Sequence, residues 1–437
     1  MLMKADYVVG VDVGGTNIKA GAVQYNGTVV AKRRTTTDAK LGAEWILDKI
    51  EKIILELQHD VHEGRLRAVG FGIPGAIYEG VVTQAPNIPA WEGLPIHRLL
   101  CDRLHLPCFI DNDANAVALG EMWMGAGRGY SHICCLTLGT GVGGGIIIDG
   151  ELLHGADGMA SEPGHMAVDA NGARCNCGSY GCLETFASAT GMKRMLREAR
   201  AGNTRSSIFD LPENEITAEK IYEHAKQGDP VCREIVKKAA EGLGVALASL
   251  VNIFNPQILI LGGGVAAASD LLIPPAVETM KRRAFRAMAE RAKITTAQLG
   301  DDAGVLGCAY MAWDQLHQPE RKRTLERSIT PWGFWEVLEE GRDYKVKRIF
   351  VHPGHRLSYQ KHQQREEIWM IASGEALIVI DGTEHRLQAG ETIHIPKTSA
   401  HRVSNPGAEP LVFYETQRGT YFGEDDIVRL EDDYQRA

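Results

Sequence analysis

The first two thirds of the chain alternate short apolar runs with stretches that repeat apolar side chains at helical spacing. Tyr7 to Val11 and Ala68 to Ile73 are rich in apolar and β-branched residues, which predicts buried strands. Residues 41–58 place apolar side chains every three or four positions, and residues 229–254 do the same behind the capping residue Asp229. Strands and helices that alternate in this way predict an α/β domain.

The pattern changes between residues 316 and 329, where the sequence is polar and interrupted by Pro319. From residue 330 onward the apolar runs are short, as in Tyr344 to His352, and turn signals such as Asp381-Gly382 separate them. This is typical of a small all-β barrel or sandwich. We therefore predict an α/β domain over residues 1–315, a linker over 316–329 and an all-β domain over 330–437.

Composition narrows the classes of function that fit. A chain of 437 residues is too long to fold around one compact core, so we expect more than one domain. Its net charge of -9 argues against a nucleic-acid partner. The sequence has neither a signal-peptide layout nor an apolar stretch long enough to span a bilayer, so we expect a cytoplasmic protein with no membrane partner. Nine cysteines, an odd number, do not suit a fully paired disulfide framework.

Three glycine-rich motifs of the first domain follow apolar runs and suit nucleotide binding. Glycine turns expose backbone N–H groups to phosphate oxygens, Thr16 can donate its hydroxyl, and Asp12 can hold Mg²⁺ through water. The Gly-Lys-Ser or Gly-Lys-Thr ending of a P-loop is absent from the sequence, and no G-x-G-x-x-G opens a helix after the first strand, as a dehydrogenase fingerprint requires. The predicted ATP and phosphate contacts are Asp12, Gly14, Gly15 and Thr16, then Gly139, Thr140, Gly141 and Gly143, then Gly262, Gly263 and Gly264.

A carboxylate-rich turn follows the apolar residues 108–110. An enzyme that phosphorylates a sugar needs a group that deprotonates or orients the attacking hydroxyl, and Asp113 can supply it. The alternative is an Asp/Asn-rich turn that only caps a helix beginning near Ala114. Beside the glycine motifs, the catalytic interpretation is favoured.

The order of these motifs resembles the actin-like, hexokinase-type ATPases, and residues 6–312 resemble the ROK family of bacterial sugar kinases and repressors. The resemblance implies an α/β actin-like (ribonuclease H-like) ATPase fold of two lobes, with ATP, Mg²⁺ and a sugar in the cleft. It also implies that Asp113 is the base. The sugar contacts that it implies are Asn87, Asn112, Asp113, Glu162, His165 and Glu184. Glu184 has a simpler alternative role, as an acidic residue in the first turn of a helix.

Three cysteines and a histidine form a candidate metal site. Cys175, Cys177, Cys182 and His165 make a Cys₃His set, which fills a tetrahedral Zn²⁺ shell and leaves no open position for chemistry. We therefore expect a structural zinc that braces the sugar-binding loop, and the set also matches the zinc motif of the family. Buried cysteines without a ligand are the alternative.

The ROK family contains both kinases and repressors. Its repressors carry a helix-turn-helix domain before the first phosphate loop, whereas that loop already begins at Asp12 in this sequence. All three nucleotide motifs and Asp113 are also present. We therefore expect a kinase.

The second domain carries both halves of a cupin metal motif. Gln360, His362 and Glu367 belong to the first half, with glutamine in place of the first histidine, and His401 belongs to the second. One carboxamide, two imidazoles and one carboxylate can hold Zn²⁺ or a similar divalent ion and leave positions for substrate oxygens.

The segments around this motif narrow the resemblance further. Pro331-Trp332-Gly333, Leu357 to Gln360 and His401 to Asn405 resemble type II mannose-6-phosphate isomerases, over residues 329–434. The resemblance implies interconversion of mannose 6-phosphate and fructose 6-phosphate through a cis-enediol. That reaction needs a base and an electrophile, and a metal can fill the second role.

Three cations are candidates for holding the substrate phosphate in this domain: Lys361, Arg365 and Arg429. Each has a simpler alternative as a solvated surface charge. The isomerase family usually has histidines where this chain has Gln364 and Ile368. An inactive metal-binding or sugar-sensing cupin is therefore the alternative to an isomerase.

Together these features predict a bifunctional enzyme that phosphorylates a hexose (mannose, glucose or fructose) with ATP and isomerises mannose 6-phosphate. Its expected partners are small sugars and sugar phosphates, and we expect a homodimer or a higher homo-oligomer. One alternative keeps the kinase and makes the cupin a regulatory module. Another makes the whole chain a non-catalytic sugar sensor.

Overall fold

The computed structural model describes residues 6–85, 87–266, 269–317, 327–341, 343–423 and 426–433. The chain divides into two compact units between His317 and Gln318, inside the segment predicted to be a linker. Most of that linker, residues 318–326, lies outside the described residues, as do Pro86, Glu424 and Asp425.

The first lobe of the first unit is built on a five-stranded sheet in the order β3-β2-β1-β4-β7. The first three strands are antiparallel neighbours, and β4 and β7 then add in parallel. The predicted strands and the helix over 41–58 are confirmed here. The elements are β1 (Tyr7–Val13), β2 (Asn17–Gln24), β3 (Val29–Thr36), α1 (Ala43–Asp60), β4 (Leu66–Ile73), β5 (Ala76–Tyr78), β6 (Val81–Gln84), α2 (Ile96–Leu104) and β7 (Cys108–Asn112).

The second lobe repeats this topology. Its sheet has the order β10-β9-β8-β11-β12, again three antiparallel strands followed by two parallel ones. Asp229 caps the long helix as predicted, because its carboxylate accepts the amides of Val231 and Cys232. The elements are α3 (Asp113–Met124), β8 (Ile133–Leu138), β9 (Val142–Ile148), β10 (Glu151–Leu152), α4 (Glu184–Ala187), α5 (Ala189–Ala201), α6 (Ala218–Lys226), α7 (Pro230–Phe254), β11 (Ile258–Gly262), α8 (Ser269–Arg283), α9 (Arg286–Ala289), β12 (Lys293–Thr296) and α10 (Ala303–His317).

Helices α3 and α10 cross closely in the middle of the first unit, and glycines make the crossing possible. A Cβ atom at Gly307 would overlap the carbonyl oxygen of Ala116, and one at Gly120 would overlap that of Ala303. Glycine in this chain therefore serves helix packing as well as the turns that the sequence predicts to bind phosphate. The crossing fixes the N-terminus of α3, where Asp113 lies.

The second unit is an all-β barrel, as predicted. One sheet has the order β13-β14-β15-β22-β17-β20 and the other the order β19-β18-β21-β16-β23. The strands are β13 (Arg327–Thr330), β14 (Gly333–Glu340), β15 (Tyr344–Val351), β16 (Tyr359–His362), β17 (Arg365–Ser373), β18 (Glu375–Ile380), β19 (Thr383–Gln388), β20 (Thr392–Ile395), β21 (His401–Ser404), β22 (Leu411–Gly419) and β23 (Ile427–Glu431). Strand β13 pairs with β14 as a hairpin, so regular structure begins inside the segment 316–329 that the sequence assigned to the linker.

Among the described residues, no helix combines the length and the apolar character that a membrane crossing requires.

Candidate active sites on loops and in the barrel

The first glycine motif closes the turn between β1 and β2. The amide of Gly14 donates to the carbonyl of Asn17 over 2.9 Å, and Thr16 is exposed at the tip of the turn. A Cβ atom at Gly15 would lie 3.0 Å from the Cβ of Asn87. The structure therefore brings Asn87, a predicted sugar contact, against the predicted phosphate loop.

The second and third glycine motifs lie side by side, because β8 and β11 are neighbouring parallel strands that end at the same edge of the sheet. The amide of Val265 donates to the carbonyl of Leu138 over 2.9 Å. Gly263 has φ of 89°, and a Cβ atom there would overlap the backbone of Leu138. Gly264 has open space beside it. Ligands of α/β sheets bind at such carboxyl ends of parallel strands.

Helix α5 holds the second motif in place. The amide of Ala189 donates to Gly139, and the hydroxyl of Thr190 donates to the carbonyl of Thr140 over 2.8 Å. Gly143 differs from its neighbours, because it lies within β9 and a Cβ atom there would come 2.9 Å from the Cβ of Ala114. Close packing of β9 on α3 accounts for glycine at this position.

Two carboxyl groups of the predicted kinase site, those of Asp12 and Asp113, have raised pKa values. Burial and the nearby charge of Asp113 raise the pKa of Asp12 to about 6, and Lys19 opposes the shift. Burial also raises the pKa of Asp113, the first residue of α3. A base with a raised pKa is better matched to proton transfer near neutral pH.

The side chain of Asn112 caps α3. Its Oδ1 atom accepts the amides of Ala114 and Asn115, and its Nδ2 atom donates to the carbonyl of Gly75 over 3.1 Å. The capping role that the sequence offered as an alternative for this turn is therefore present. It leaves Asn112 fewer free hydrogen-bonding positions for a sugar than the resemblance implied.

The predicted sugar-binding carboxylates are close enough to share an electrostatic environment. Although Glu162 is exposed as a residue, loss of water around its carboxyl group raises its pKa. The charge of His165 opposes this shift, and Asp113 and Glu184 add to it. Glu184 also accepts the amide of Val142 over 3.0 Å, which ties it to the second phosphate motif.

A contact between a carboxylate and an imidazole, next to the turn that carries Asp113, was missed in the sequence. The Oδ2 atom of Asp111 lies 2.7 Å from Nε2 of His154, while its Oδ1 atom accepts the side-chain amide of Asn115 over 2.8 Å. His154 also accepts the amide of Ala160 at its carbonyl, 3.0 Å away. The pair thus connects the start of α3 to the loop that precedes Glu162.

The predicted zinc ligands come together. One ligand atom from each of His165, Cys175, Cys177 and Cys182 lies within 4.8 Å of the others. Left-handed backbone at Gly178 and Gly181 makes the turns that return Cys182 to the set, with φ of 94° and 66°. Three thiolates and one imidazole in this cluster fit a tetrahedral zinc shell.

Three of the four predicted cupin ligands are likewise buried together, within 4.8 Å of one another: His362, Glu367 and His401. Nε2 of His362 lies 3.0 Å from Glu367 and Nε2 of His401 lies 3.5 Å from it. Burial opposes ionisation, but the two imidazoles and Arg365 hold the pKa of Glu367 well below its usual range. Within the described residues, Nε2 of His401 makes no hydrogen bond, so it is available to a metal.

The contacts behind these ligands fix their orientation. Nδ1 of His401 faces the carbonyl oxygen of Ser399 over 3.0 Å, and the indole N–H of Trp369 donates to Glu367 over 3.0 Å. Such partners set the tautomer and direction of metal ligands. Gln360 accepts the hydroxyl of Ser358 and lines the same cavity as His362 and Glu367.

The three predicted phosphate cations have different positions. Arg365 and Arg429 line the cavity that His362 and Glu367 also line, whereas Lys361 does not. Arg365 is buried and lies 3.6 Å from Glu367, so it is not a solvated surface charge. Three further buried polar residues line this cavity and were missed from the sequence: Lys347, Glu415 and Gln417.

The first unit has two α/β lobes, with glycine turns and carboxylates, and this defines an actin-like ATPase fold. The second unit is a small barrel with a buried His/Glu cluster, and this defines a cupin. Residues 8–315 match the model of the ROK family, so the chain belongs to that family. Residues 317–432 match the model described as mannose-6-phosphate isomerase C-terminal. Both resemblances inferred from the sequence are confirmed.

Known relatives of the first unit include kinases and a repressor. A glucokinase of Thermotoga maritima is 39% identical over 314 residues, which cover 71% of this chain and 98% of that protein. A xylose repressor of Caldicellulosiruptor bescii is 35% identical over 72% of this chain and 80% of its own. A ROK family glucokinase from Streptomyces griseus, solved with glucose and AMPPNP, superposes with a TM-score of 0.61 at 36% identity, covering 70% of this chain and 99% of its own.

Proposed function

We propose that this protein is a bifunctional sugar enzyme of the cytoplasm. The first unit phosphorylates a hexose at its 6-hydroxyl with ATP, and the barrel isomerises mannose 6-phosphate to fructose 6-phosphate. The kinase activity is supported mainly by two glycine turns that lie together at one edge of the sheet. In the same unit, the charge of Asp113 raises the pKa of Asp12. The barrel activity is supported by the buried His/Glu cluster and the family match.

In the kinase reaction, the backbone amides of the glycine turns would hold the phosphates, and Asp12 would bind Mg²⁺ through water. A magnesium ion held there would supply positive charge against the phosphates of ATP. Asp113 would accept the proton of the 6-hydroxyl as that oxygen bonds to the γ-phosphorus, while the bond from that phosphorus to the bridging oxygen breaks and ADP leaves. Its raised pKa suits this role, because a very weak base would take the proton poorly.

The sugar would be held by hydrogen bonds from side chains around Asp113. Glu162 and Glu184 can each accept two hydrogen bonds from neighbouring hydroxyl groups. The Cys₃His cluster fits a structural zinc that would hold the loop between Glu162 and Glu184. His165 cannot bind both the zinc and a hydroxyl through Nδ1, which lies 3.7 Å from Cys175, so sugar contact would fall to Nε2.

In the isomerase reaction, His362, Glu367, His401 and the amide oxygen of Gln360 would hold a divalent ion, for which Zn²⁺ is our proposal. The ion would stabilise negative charge on the sugar oxygens during enediol formation. Arg365 and Arg429, which line the cavity, would bind or position the anionic substrate.

We propose mannose as a substrate of the kinase unit because of the barrel. The proposed substrate of the barrel is mannose 6-phosphate, which is the product that a mannose kinase makes. The relatives named glucokinase favour glucose as an additional substrate of the first unit.

A test measures ADP release from ATP, Mg²⁺ and a panel of mannose, glucose and fructose. We expect turnover with at least mannose, and no turnover with any hexose would refute the kinase. Mannose 6-phosphate without ATP tests the barrel in parallel. Absence of fructose 6-phosphate with Zn²⁺, Mn²⁺ or Co²⁺ present would refute the isomerase and leave a regulatory cupin.

A further inference from the structure

The inner face of the larger barrel sheet is divided into an apolar half and a polar half. Burial alternates along β15, β17 and β22, so every second side chain points into the barrel. The apolar half consists of Ile349, Val351, Trp369, Ile371, Leu411 and Phe413. The polar half consists of Lys345, Lys347, Arg365, Glu367, Glu415 and Gln417, and all six are buried.

Such a block of buried charge is costly unless its members are paired or used for chemistry. The metal set explains Glu367, and the ion pair with Glu340, 3.3 Å away, satisfies Lys345. The buried carboxylate of Glu415 belongs neither to the metal set nor to the pair of Lys345 and Glu340. Gln417 connects it to the metal set, because Nε2 donates to Glu415 over 2.7 Å and to Glu367 over 3.2 Å.

The strand register places a cation beside this carboxylate. Lys347 on β15 is the direct partner of Glu415 on β22, so their side chains leave neighbouring positions of the inner face. The ammonium group of Lys347 also lies 4.3 Å from the ring centre of Trp335. Glu415, Lys347 and Gln417 line the cavity that His362 and Glu367 also line, together with Arg429.

We propose that Glu415 is the base that moves the proton between C2 and C1 of the sugar phosphate, and that Gln417 positions it. This inference rests on the proposed isomerase function. Glu367 is less suited to that role, because His362, Trp369 and Gln417 already contact its two oxygens.

The proposed step is balanced and needs no co-reactant. In the open-chain aldose, Glu415 takes the proton from C2, the C2–H electron pair forms the C1=C2 bond, and the carbonyl oxygen on C1 gains the negative charge. The proton on the C2 oxygen passes to the C1 oxygen. The C2 carbonyl then forms as C1 takes back the proton from Glu415. Lys347 offsets negative charge in the cavity during these steps.

The test compares the full-length wild-type protein with Glu415→Gln, Glu415→Asp and the control Glu384→Gln, an exposed glutamate of the same barrel. Three quantities are measured: bound metal, affinity for a phosphorylated aldonate that mimics the enediolate, and isomerase kcat. We expect Glu415→Gln to keep its metal and its affinity for the mimic while kcat falls about 10²- to 10⁴-fold. We expect Glu415→Asp to recover at least part of this loss.

The outcomes separate this inference from the proposed function. An inactive wild-type protein would overturn both. An active wild-type protein with Glu415→Gln within threefold of it would overturn only the role of Glu415. Loss of metal or of mimic binding in Glu415→Gln would also overturn it, since the residue would then hold the site together. A Glu415→Asp variant no better than Glu415→Gln would count against a carboxylate base.

Discussion

The two units of this protein present their chemical groups in different ways. In the first unit the proposed site is assembled at ends of elements: turns after β1, β8 and β11, and the first residue of α3. In the barrel it is assembled on the faces of strands, from side chains that alternate with exterior ones. Turns can carry ligand groups without disturbing a core, whereas the barrel must bury charge beside its apolar half.

This difference predicts that the two sites can be disabled separately. The largest effect is expected for Asp113→Asn, which keeps the shape of the side chain but removes the base. We expect kcat for hexose phosphorylation to fall about 10²- to 10⁴-fold, with isomerase activity unchanged. Steady-state assays of both reactions measure this, with Asp210→Asn as a control at an exposed position. A decrease of less than threefold in the kinase would exclude Asp113 as the base.

The next largest effect concerns the zinc cluster, which belongs to a loop and not to a packed face. Cys177→Ser should remove one zinc per chain, measured by elemental analysis, because a thiolate ligand is lost. Displacement of the sugar loop should lower kinase kcat/KM about 10- to 100-fold. The control is Cys101→Ser, since Cys101 lies outside the cluster. Unchanged zinc content would contradict the proposed ligand set.

A smaller effect concerns the charge on Asp12 and its dependence on pH. The pKa of this carboxyl is about 6 in the folded protein and about 3.9 in an unfolded chain. Because the folded state holds the proton more tightly, Asp12 lowers stability as pH rises from 4 through 6, and the penalty is complete above 6. Allowing for solvent screening, Asp12→Asn should be more stable than wild type by about 1–2 kcal/mol at pH 7.5.

Urea unfolding without Mg²⁺, at pH 7.5 and at pH 4, measures this difference. The two proteins should be nearly equally stable at pH 4. A stabilisation of the same size at both values would mean that the charge on Asp12 is not responsible.

The smallest expected effect is that of His154→Ala, which removes a partner of Asp111. Loss of one hydrogen bond to this partly buried carboxylate should lower the free energy of unfolding by about 1 kcal/mol. We also expect a modest rise in KM for the hexose. Thermal unfolding and kinase assays measure both changes. If neither the KM nor the stability changes, the contact between the loop before Glu162 and α3 contributes neither to stability nor to hexose binding.

The contrast between the two sites also explains how much could be predicted from the sequence. Glycine turns and the cysteine cluster are local in the sequence, so their partners could be named before the fold was known. Asn112 shows the limit of predicting contacts from local sequence. The sequence suggested that its side chain contacts the sugar, but in the structure this side chain caps α3. Gly143 is similar, since helix packing and phosphate binding both call for glycine.

In the barrel, the sequence motifs located His362, Glu367 and His401 but not Glu415. Its importance comes from register, which places it opposite Lys347, 68 positions earlier, and near Gln417 on its own strand. A strand pattern predicts which side chains point inward, but pairing with a distant strand decides which ones meet. For the same reason Lys361, beside the metal motif in sequence, does not line the cavity.

The most direct test of two independent sites in one chain is a complementation experiment. Asp113→Asn and Glu367→Gln are assayed singly and mixed, with mannose, ATP, Mg²⁺ and Zn²⁺, for fructose 6-phosphate. We expect Asp113→Asn alone to form fructose 6-phosphate at least about 10²-fold more slowly than wild type and Glu367→Gln alone to stop at mannose 6-phosphate, while the mixture forms fructose 6-phosphate rapidly. A mixture that still stops at mannose 6-phosphate, although wild type completes the conversion, would contradict two separately acting sites.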